Sequence, residues 1–374
     1  MFKMLSDVNV VEMGTFITGP AAGMFLADLG ADVIKVERPE IGDPFRAFNG
    51  ELYSPHFQTY NRNKRSVELN TKSDSDLEEF DKLIRQADVF IENFRPGVAK
   101  KLRVDYERLK QINPKLVYCS ISGFGPDGPD ALKPAFDTVA QAATGFLRLL
   151  LNPANPRVVG PAIADAITGF YASQGILAAL FARQKSNESC LVEISMLEAM
   201  SHFNLDDFTH YLSADLIMGP ESRPNVSQSY VFECKDKRWI ALHMSSPTKF
   251  WTGLAEAVGH PNMLSRSEFA SRESRIENYD KVVEFLKPLF LAKPSSYWCE
   301  RLVEIEVPHS LVLNSKEALE TPQAIHMNLC VQTEHPQKGI FKTVRSPLRF
   351  NGEANLDVLA PPVLGEHNGQ EFNG

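Results

Sequence analysis

Cysteine is scarce in this chain of 374 residues: there are five, Cys119, Cys190, Cys234, Cys299 and Cys330, far apart and odd in number. No Cys-x-x-Cys pair exists, so the pattern excludes a disulfide framework and fits free thiols in a reducing cytoplasm. The nine histidines are scattered. With no His-Glu-x-x-His and no His/Cys cluster at ligand spacing, no metal site is expected. Basic charge is in deficit. The net charge of −8 leaves no clustered basic face for nucleic acid. No apolar run approaches the ~20 residues that span a bilayer, and the opening Met1-Phe-Lys-Met-Leu-Ser-Asp7 lacks the apolar core of a secretory signal. The expectation is a cytoplasmic protein with neither a membrane nor a nucleic-acid partner. What remains is ordinary: 43% hydrophobic and 23% charged residues, the balance of a soluble globular protein. The length suggests two domains.

The first third alternates two kinds of segment. Asn9 to Glu12, Asp32 to Glu37, Asp88 to Glu92 and Leu116 to Ile121 are short apolar runs that read as buried strands. Between them, Ala21 to Leu29, Ser73 to Gln86 and Tyr106 to Ile112 read as helices, with Pro20 in a first turn and Gly30 as a stop. This alternation predicts an α/β fold with a parallel, doubly wound sheet. Ligands then bind beyond the carboxyl ends of the strands. Phe136 to Leu150 is expected as one helix, Asp165 to about Lys185 as a long one, and Leu191 to Ile194 as a further strand. The turn-rich run Gly219 to Ser229 reads as a linker. After it, Tyr230 to Phe232 and Arg238 to His243 read as a hairpin, followed by charged helices. This shift suggests a smaller α+β domain over 220–325.

Three features carry chemistry. The Gly14 to Gly19 loop spaces its glycines like a Walker A motif, yet Pro20-Ala21 stands where Lys-Ser/Thr belongs. It is a phosphate cradle or a plain strand-to-helix turn, and the local sequence leaves both open. Cations recur at the sheet's expected carboxyl edge: Arg38, then Arg62, Lys64 and Arg65, then Arg95, Lys100 and Lys101. Singly they are surface charges; together they could neutralise a multiply charged anion such as a nucleotide diphosphate. The third feature is Asp165, at a loop-to-helix junction. It either caps the helix or stands with free oxygens at a cleft mouth, a weak nucleophile strengthened by poor solvation.

Four motifs in order settle the balance. Asn61-Arg-Asn-Lys-Arg-Ser66, Glu92-Asn-Phe-Arg-Pro-Gly97, Ser120-Ile-Ser-Gly-Phe-Gly125 and Phe136-Asp-Thr-Val-Ala-Gln-Ala142 resemble the class III coenzyme A transferases, the group of formyl-CoA and carnitine-CoA transferases. Leu29 to Arg38 and the Asp165 segment belong to the same pattern. The resemblance covers residues 8 to about 205, and more loosely 230 to 367.

It implies a Rossmann-like large domain over 1–215, completed by 326–374, in an intertwined homodimer. It implies Asp165 as nucleophile. Arg38, Leu69, Asn70, Thr71, Lys72, Asn93, Phe94, Arg95 and Lys101 fall on positions holding the adenosine and phosphates of CoA. Ile17 and Thr18 fall on the loop beside the thioester, and Asp137 on a further CoA contact. The implied reaction moves CoA from an acyl-CoA donor to a small carboxylic acid through an aspartyl-CoA thioester, with no permanently bound cofactor. Backbone N–H groups near Asp165 and at Ile17-Thr18 are the candidate oxyanion donors. A related α-methylacyl-CoA racemase uses a His beside the aspartate. Here Phe136 holds that place and cannot shuttle a proton. The remaining alternative is a non-catalytic CoA-binding protein.

Overall fold

A computed structural model of the chain describes residues 2–48, 51–245 and 248–372. It divides into two compact units: Met1–Leu147 with Val158–Phe208 and Pro322–Gly374, and Arg148–Arg157 with Thr209–Thr321.

The first unit is built on six parallel strands: β1 Asn9–Glu12, β2 Asp32–Glu37, β3 Lys64–Glu68, β4 Val89–Glu92, β5 Val117–Ser122 and β6 Cys190–Ser195. Their order is β3-β2-β1-β4-β5-β6. This is the doubly wound arrangement expected from the alternating pattern, and its order reverses between β1 and β4. β1, β2, β4 and β5 are buried on both faces, which explains their apolar runs. Val10, Val33, Val89 and Val117 join the Thr18–Asp28 and Ile163–Ser186 helices in one core. Val11, Ile34, Phe90 and Tyr118 join the Asp74–Gln86 and Tyr106–Ile112 helices in the other.

Three elements differ from expectation. The Asn61 to Ser66 segment, read as a cationic loop, runs into β3, because its charges meet buried carboxylates rather than water. The helix expected over 136–150 is two, Asp137–Ala143 and Phe146–Leu150, parted at Gly145, whose φ of 76° no helix accommodates. The Ile163–Ser186 helix, 24 residues long, is apolar enough to cross a membrane, a length of apolar chain the sequence reading did not credit. Ala172, Ile176 and Leu180 explain its composition, since they lie in the core against the sheet.

The second unit has an antiparallel sheet of β7 Ser229–Glu233, β8 Trp239–His243 and β9 His309–Leu311. Tyr230, Phe232, Ile240 and Leu242 alternate onto one face and pack with Trp251, Leu286, Phe290 and Trp298 from the covering helices. The run read as a linker contains a helix, Ser222–Ser227.

Candidate active site

The site forms at the switch point, where the loops after β1 and β4 diverge. The loop after β1 is held in an unusual shape: Phe16 has φ 61°, in the left-handed region that a residue with a side chain rarely adopts. Hydrogen bonds and the packing of the Phe16 ring against Phe45 and Phe136 hold it there. Asn93, just past β4, accepts the Thr15 N–H at 2.9 Å and donates to the Thr15 carbonyl at 2.7 Å and to Thr18 Oγ1 at 2.9 Å. Asp43 accepts the Phe16 N–H, and Lys35 donates to the Gly14 carbonyl. Gly14 and Gly19 allow a close approach of the two ends of the loop. A Cβ on Gly14 would lie 2.8 Å from the Gly19 Cα, so the turn closes only without side chains.

Beneath this loop lies a buried ionic cluster. Glu12, fully buried, accepts from Lys35 at 2.8 Å and from Lys64 at 2.6 Å. Lys64 also donates to the Pro20 carbonyl and to Asn61. Burial pulls the Lys64 ammonium down to about 8 in spite of Glu12. Arg62 pairs with Asp28 and Arg65 with Asp32. These three cations therefore hold the sheet together and are not free to meet an anion. Glu37 is similarly engaged, by Arg46 and Ser66.

Asp165 stands in the first turn of the Ile163–Ser186 helix but does not cap it. The cap comes from Asp137, whose Oδ1 accepts the backbone N–H groups of Ala164 at 2.8 Å and Asp165 at 3.4 Å. Asp137 Oδ2 accepts from Gln141 at 2.6 Å. Both its oxygens thus have protein partners, so Asp137, expected as a CoA contact, also holds the start of the helix that carries Asp165. The same bonds remove the N–H groups next to Asp165 as oxyanion donors. Those of Ile17 and Thr18, at the start of the Thr18–Asp28 helix, have no acceptor among the described residues. The Asp165 carboxylate itself has no hydrogen-bond partner among the described residues. Burial, helped by the negative charge of Asp137, pushes it up from 3.8 to about 7. A carboxylate so placed is poorly solvated and more nucleophilic when ionised.

Two clefts adjoin here. The larger encloses about 570 Å³ and is lined by Arg38, Leu69, Asn70, Thr71, Lys72 and Phe94. The smaller, about 220 Å³, is lined by Asp165, Ile17, Thr18, Asn93, Phe94 and Arg95, with Phe16, Phe136 and Met196 as apolar walls. Thr15 and Phe94 belong to both. Arg38, Lys72 and Arg95 are exposed and have no carboxylate partner among the described residues. Lys101 is exposed on the Val98–Lys101 helix and lines neither cleft. Lys133, in the smaller cleft, escaped the sequence reading. Its signal was its place four residues before Asp137. His202 meets Tyr171, and His243 meets Ser229 and Ser245.

Residues 5–368 match the family described as CoA-transferase family III. The chain belongs to that family. A formyl-CoA:oxalate CoA-transferase of Streptomyces avermitilis is 31% identical, over 100% of this chain and 96% of the relative. A succinyl-CoA:glutarate CoA-transferase of Homo sapiens is 28% identical, over 98% of this chain and 84% of the relative. Among solved structures, a CaiB/BaiF family protein from Brucella suis superposes with a TM-score of 0.85 at 30% identity, covering 96% of each chain. The protein is a CoA-transferase, and enzymes of this kind use CoA thioesters as substrates.

Proposed function

We propose that Asp165 carries CoA from an acyl-CoA donor to a small carboxylic acid as an aspartyl-CoA thioester. The observation that carries this reading is a carboxylate without hydrogen-bond partners among the described residues, opening onto a cleft that shares walls with a larger, cation-bearing one. CoA has the matching polarity, with phosphates at one end and a thioester at the other. Arg38 and Lys72 suit the phosphates, Leu69 to Thr71 and Phe94 the adenosine, and Thr15 lies on the path between.

In the reaction, an Asp165 oxygen attacks the thioester carbonyl and the carbonyl electrons move onto its oxygen. Collapse expels CoA thiolate and leaves a mixed anhydride. The thiolate attacks the Asp165 carbonyl and expels the donor's carboxylate, giving the aspartyl-CoA thioester. The acceptor acid repeats these steps in reverse, so the thioester bond is conserved. The Ile17 and Thr18 N–H groups, without acceptors among the described residues, are our candidates to meet the oxyanion. The small volume beside Asp165 and the charges of Arg95 and Lys133 suit short, polar acids. Relatives whose names include oxalate and glutarate favour the same class.

We further propose that the enzyme is cytoplasmic and works as a homodimer. Phe170 and Phe181, 55% and 68% exposed on the Ile163–Ser186 helix, offer an apolar face for a second copy. Sedimentation at micromolar concentration tests this, with a monomer counting against it.

CoA exchange between succinyl-, formyl- or acetyl-CoA and a panel of short acids tests the reaction. Asp165→Ala should lower the rate about 10⁴-fold or more. A variant that still transfers CoA contradicts the mechanism. Exchange of an α-proton without CoA transfer would turn the assignment to a racemase.

A further inference from the structure

Asn93 directly follows β4 and lines the smaller cleft together with Asp165. Its side-chain oxygen and both its side-chain N–H groups are engaged by the loop after β1. Oδ1 accepts the Thr15 N–H at 2.9 Å, while Nδ2 donates to the Thr15 carbonyl at 2.7 Å and to Thr18 Oγ1 at 2.9 Å. The amide pairs with the Thr15 backbone as a peptide group would, and holds Thr18 at a second point. Asn93 is itself bracketed, because buried Glu92 accepts the Phe94 N–H at 2.6 Å and the Ser120 hydroxyl at 2.6 Å. Phe16 and Ile17 must span the two anchored residues, Phe16 at φ 61° and Ile17 at φ −119° and ψ −57°. A left-handed residue followed by a right-handed one gathers successive N–H groups on one side, and such a backbone persists only where its surroundings hold it. The Thr15 and Phe16 N–H groups are taken by Asn93 and Asp43. Those of Ile17 and Thr18 have no acceptor among the described residues, and both residues line the Asp165 cleft. The helix that carries Asp165 packs onto the same place one turn later: a Cβ on Gly169 would lie 2.8 Å from the Thr18 carbonyl oxygen and 2.7 Å from the Ala21 Cβ.

We propose that Asn93 is a positioning residue, its side chain fixing the loop in the shape that presents the Ile17 and Thr18 N–H groups to the oxyanion formed when Asp165 attacks the acyl carbon. The inference rests on the assignment of Asp165 as nucleophile. The Asn93 side chain takes part in no bond made or broken, and it acts through the loop. The motif resemblance places Asn93 among the CoA contacts, and that role has a different kinetic signature. Lost binding raises KM, whereas lost positioning of groups that meet only the transition state lowers kcat.

Asn93→Ala removes all three bonds. Assayed well below its melting temperature, it should show kcat lower by about 10²-fold, with KM for acyl-CoA within about threefold. Thr18→Val keeps the backbone N–H and the shape of the side chain and removes one anchor. Its kcat should fall about fivefold, the effect of one ordinary hydrogen bond. The double variant should be no slower than Asn93→Ala alone, because both changes act through one clamp. A raised KM at wild-type kcat in Asn93→Ala, kinetics equal to wild type, or losses that multiply in the double variant overturn the proposal. Asp165→Asn, run alongside, separates the two inferences. CoA transfer by that variant removes the nucleophile and the role of Asn93 with it, whereas its inactivity beside a fully active Asn93→Ala removes Asn93 alone.

Discussion

Two groups of cations look alike in the sequence and meet opposite ends. Lys64 and Arg65 open β3, with Arg62 just before it, and the three pair with Glu12, Asp32 and Asp28. Arg38, Lys72 and Arg95 stand on loops past strand ends, without carboxylate partners among the described residues, and line the clefts. The difference is position relative to the strand's carboxyl end. A cation within a strand is carried into the protein and needs an internal anion; a cation one to four residues past the strand stands at the crevice where ligands bind. The first group is engaged inside the protein; the second is the one we propose for a ligand.

Substitution should separate the groups. The largest effect is expected from Lys64→Ala, which leaves Glu12 buried with half its charge partners. Breaking a buried pair costs about 3–5 kcal/mol, read as a large fall in melting temperature by calorimetry. A melting temperature equal to wild type would dissolve the distinction. Arg38→Ala should do the reverse: KM for acyl-CoA up about 10-fold, or about 1.4 kcal/mol, with no change in melting temperature. An unchanged KM would remove Arg38 from the phosphate site.

The pH dependence sharpens the comparison from the anionic side. Asp165 must be ionised to attack, so kcat/KM should rise with pH through about 7. Stability runs the other way. The folded state holds the Asp165 proton more tightly than the unfolded chain, so its contribution is present below 3.8 and is lost as pH rises towards 7. Asp165→Asn should therefore be the more stable protein at pH 8, by about 1 kcal/mol after allowance for partial solvation. A less stable variant contradicts the account. Glu92 is also raised to about 7 by burial, although Ser120 and the Phe94 N–H hold it down in part. Glu92→Gln should leave the rising limb of the rate profile in place. The smallest effect belongs to Lys101→Ala, with KM within about twofold, because its side chain lines neither cleft. A larger change would place it in the site after all.

Much of the fold was legible because most strands are buried on both faces. β1 and β2 coincide with their apolar runs, and β4 and β5 lie within a residue of theirs. β3 was not legible. Its Lys-Arg-Ser start reads as polar loop, and only the distant partners Glu12 and Asp32 reveal why it can be a strand. Of the site, Asp165 and most of the cleft-lining residues follow from motif resemblance, since their spacing along the chain is local. Asp137 shows the limit. That it accepts the N–H groups of a helix start 27 and 28 residues ahead depends on tertiary placement, which no local pattern contains. Asn93 is similar: its side chain clamps the Thr15 to Thr18 loop across the switch point, an employment its motif does not disclose.

The most direct test is peptide mass spectrometry of wild type and Asp165→Ala after brief incubation with acyl-CoA donors and rapid quenching. A CoA adduct confined to the peptide carrying Asp165, absent from the variant, is the predicted result. Turnover of the wild type with no adduct there, or an adduct on another residue, would contradict the assignment of Asp165 as nucleophile.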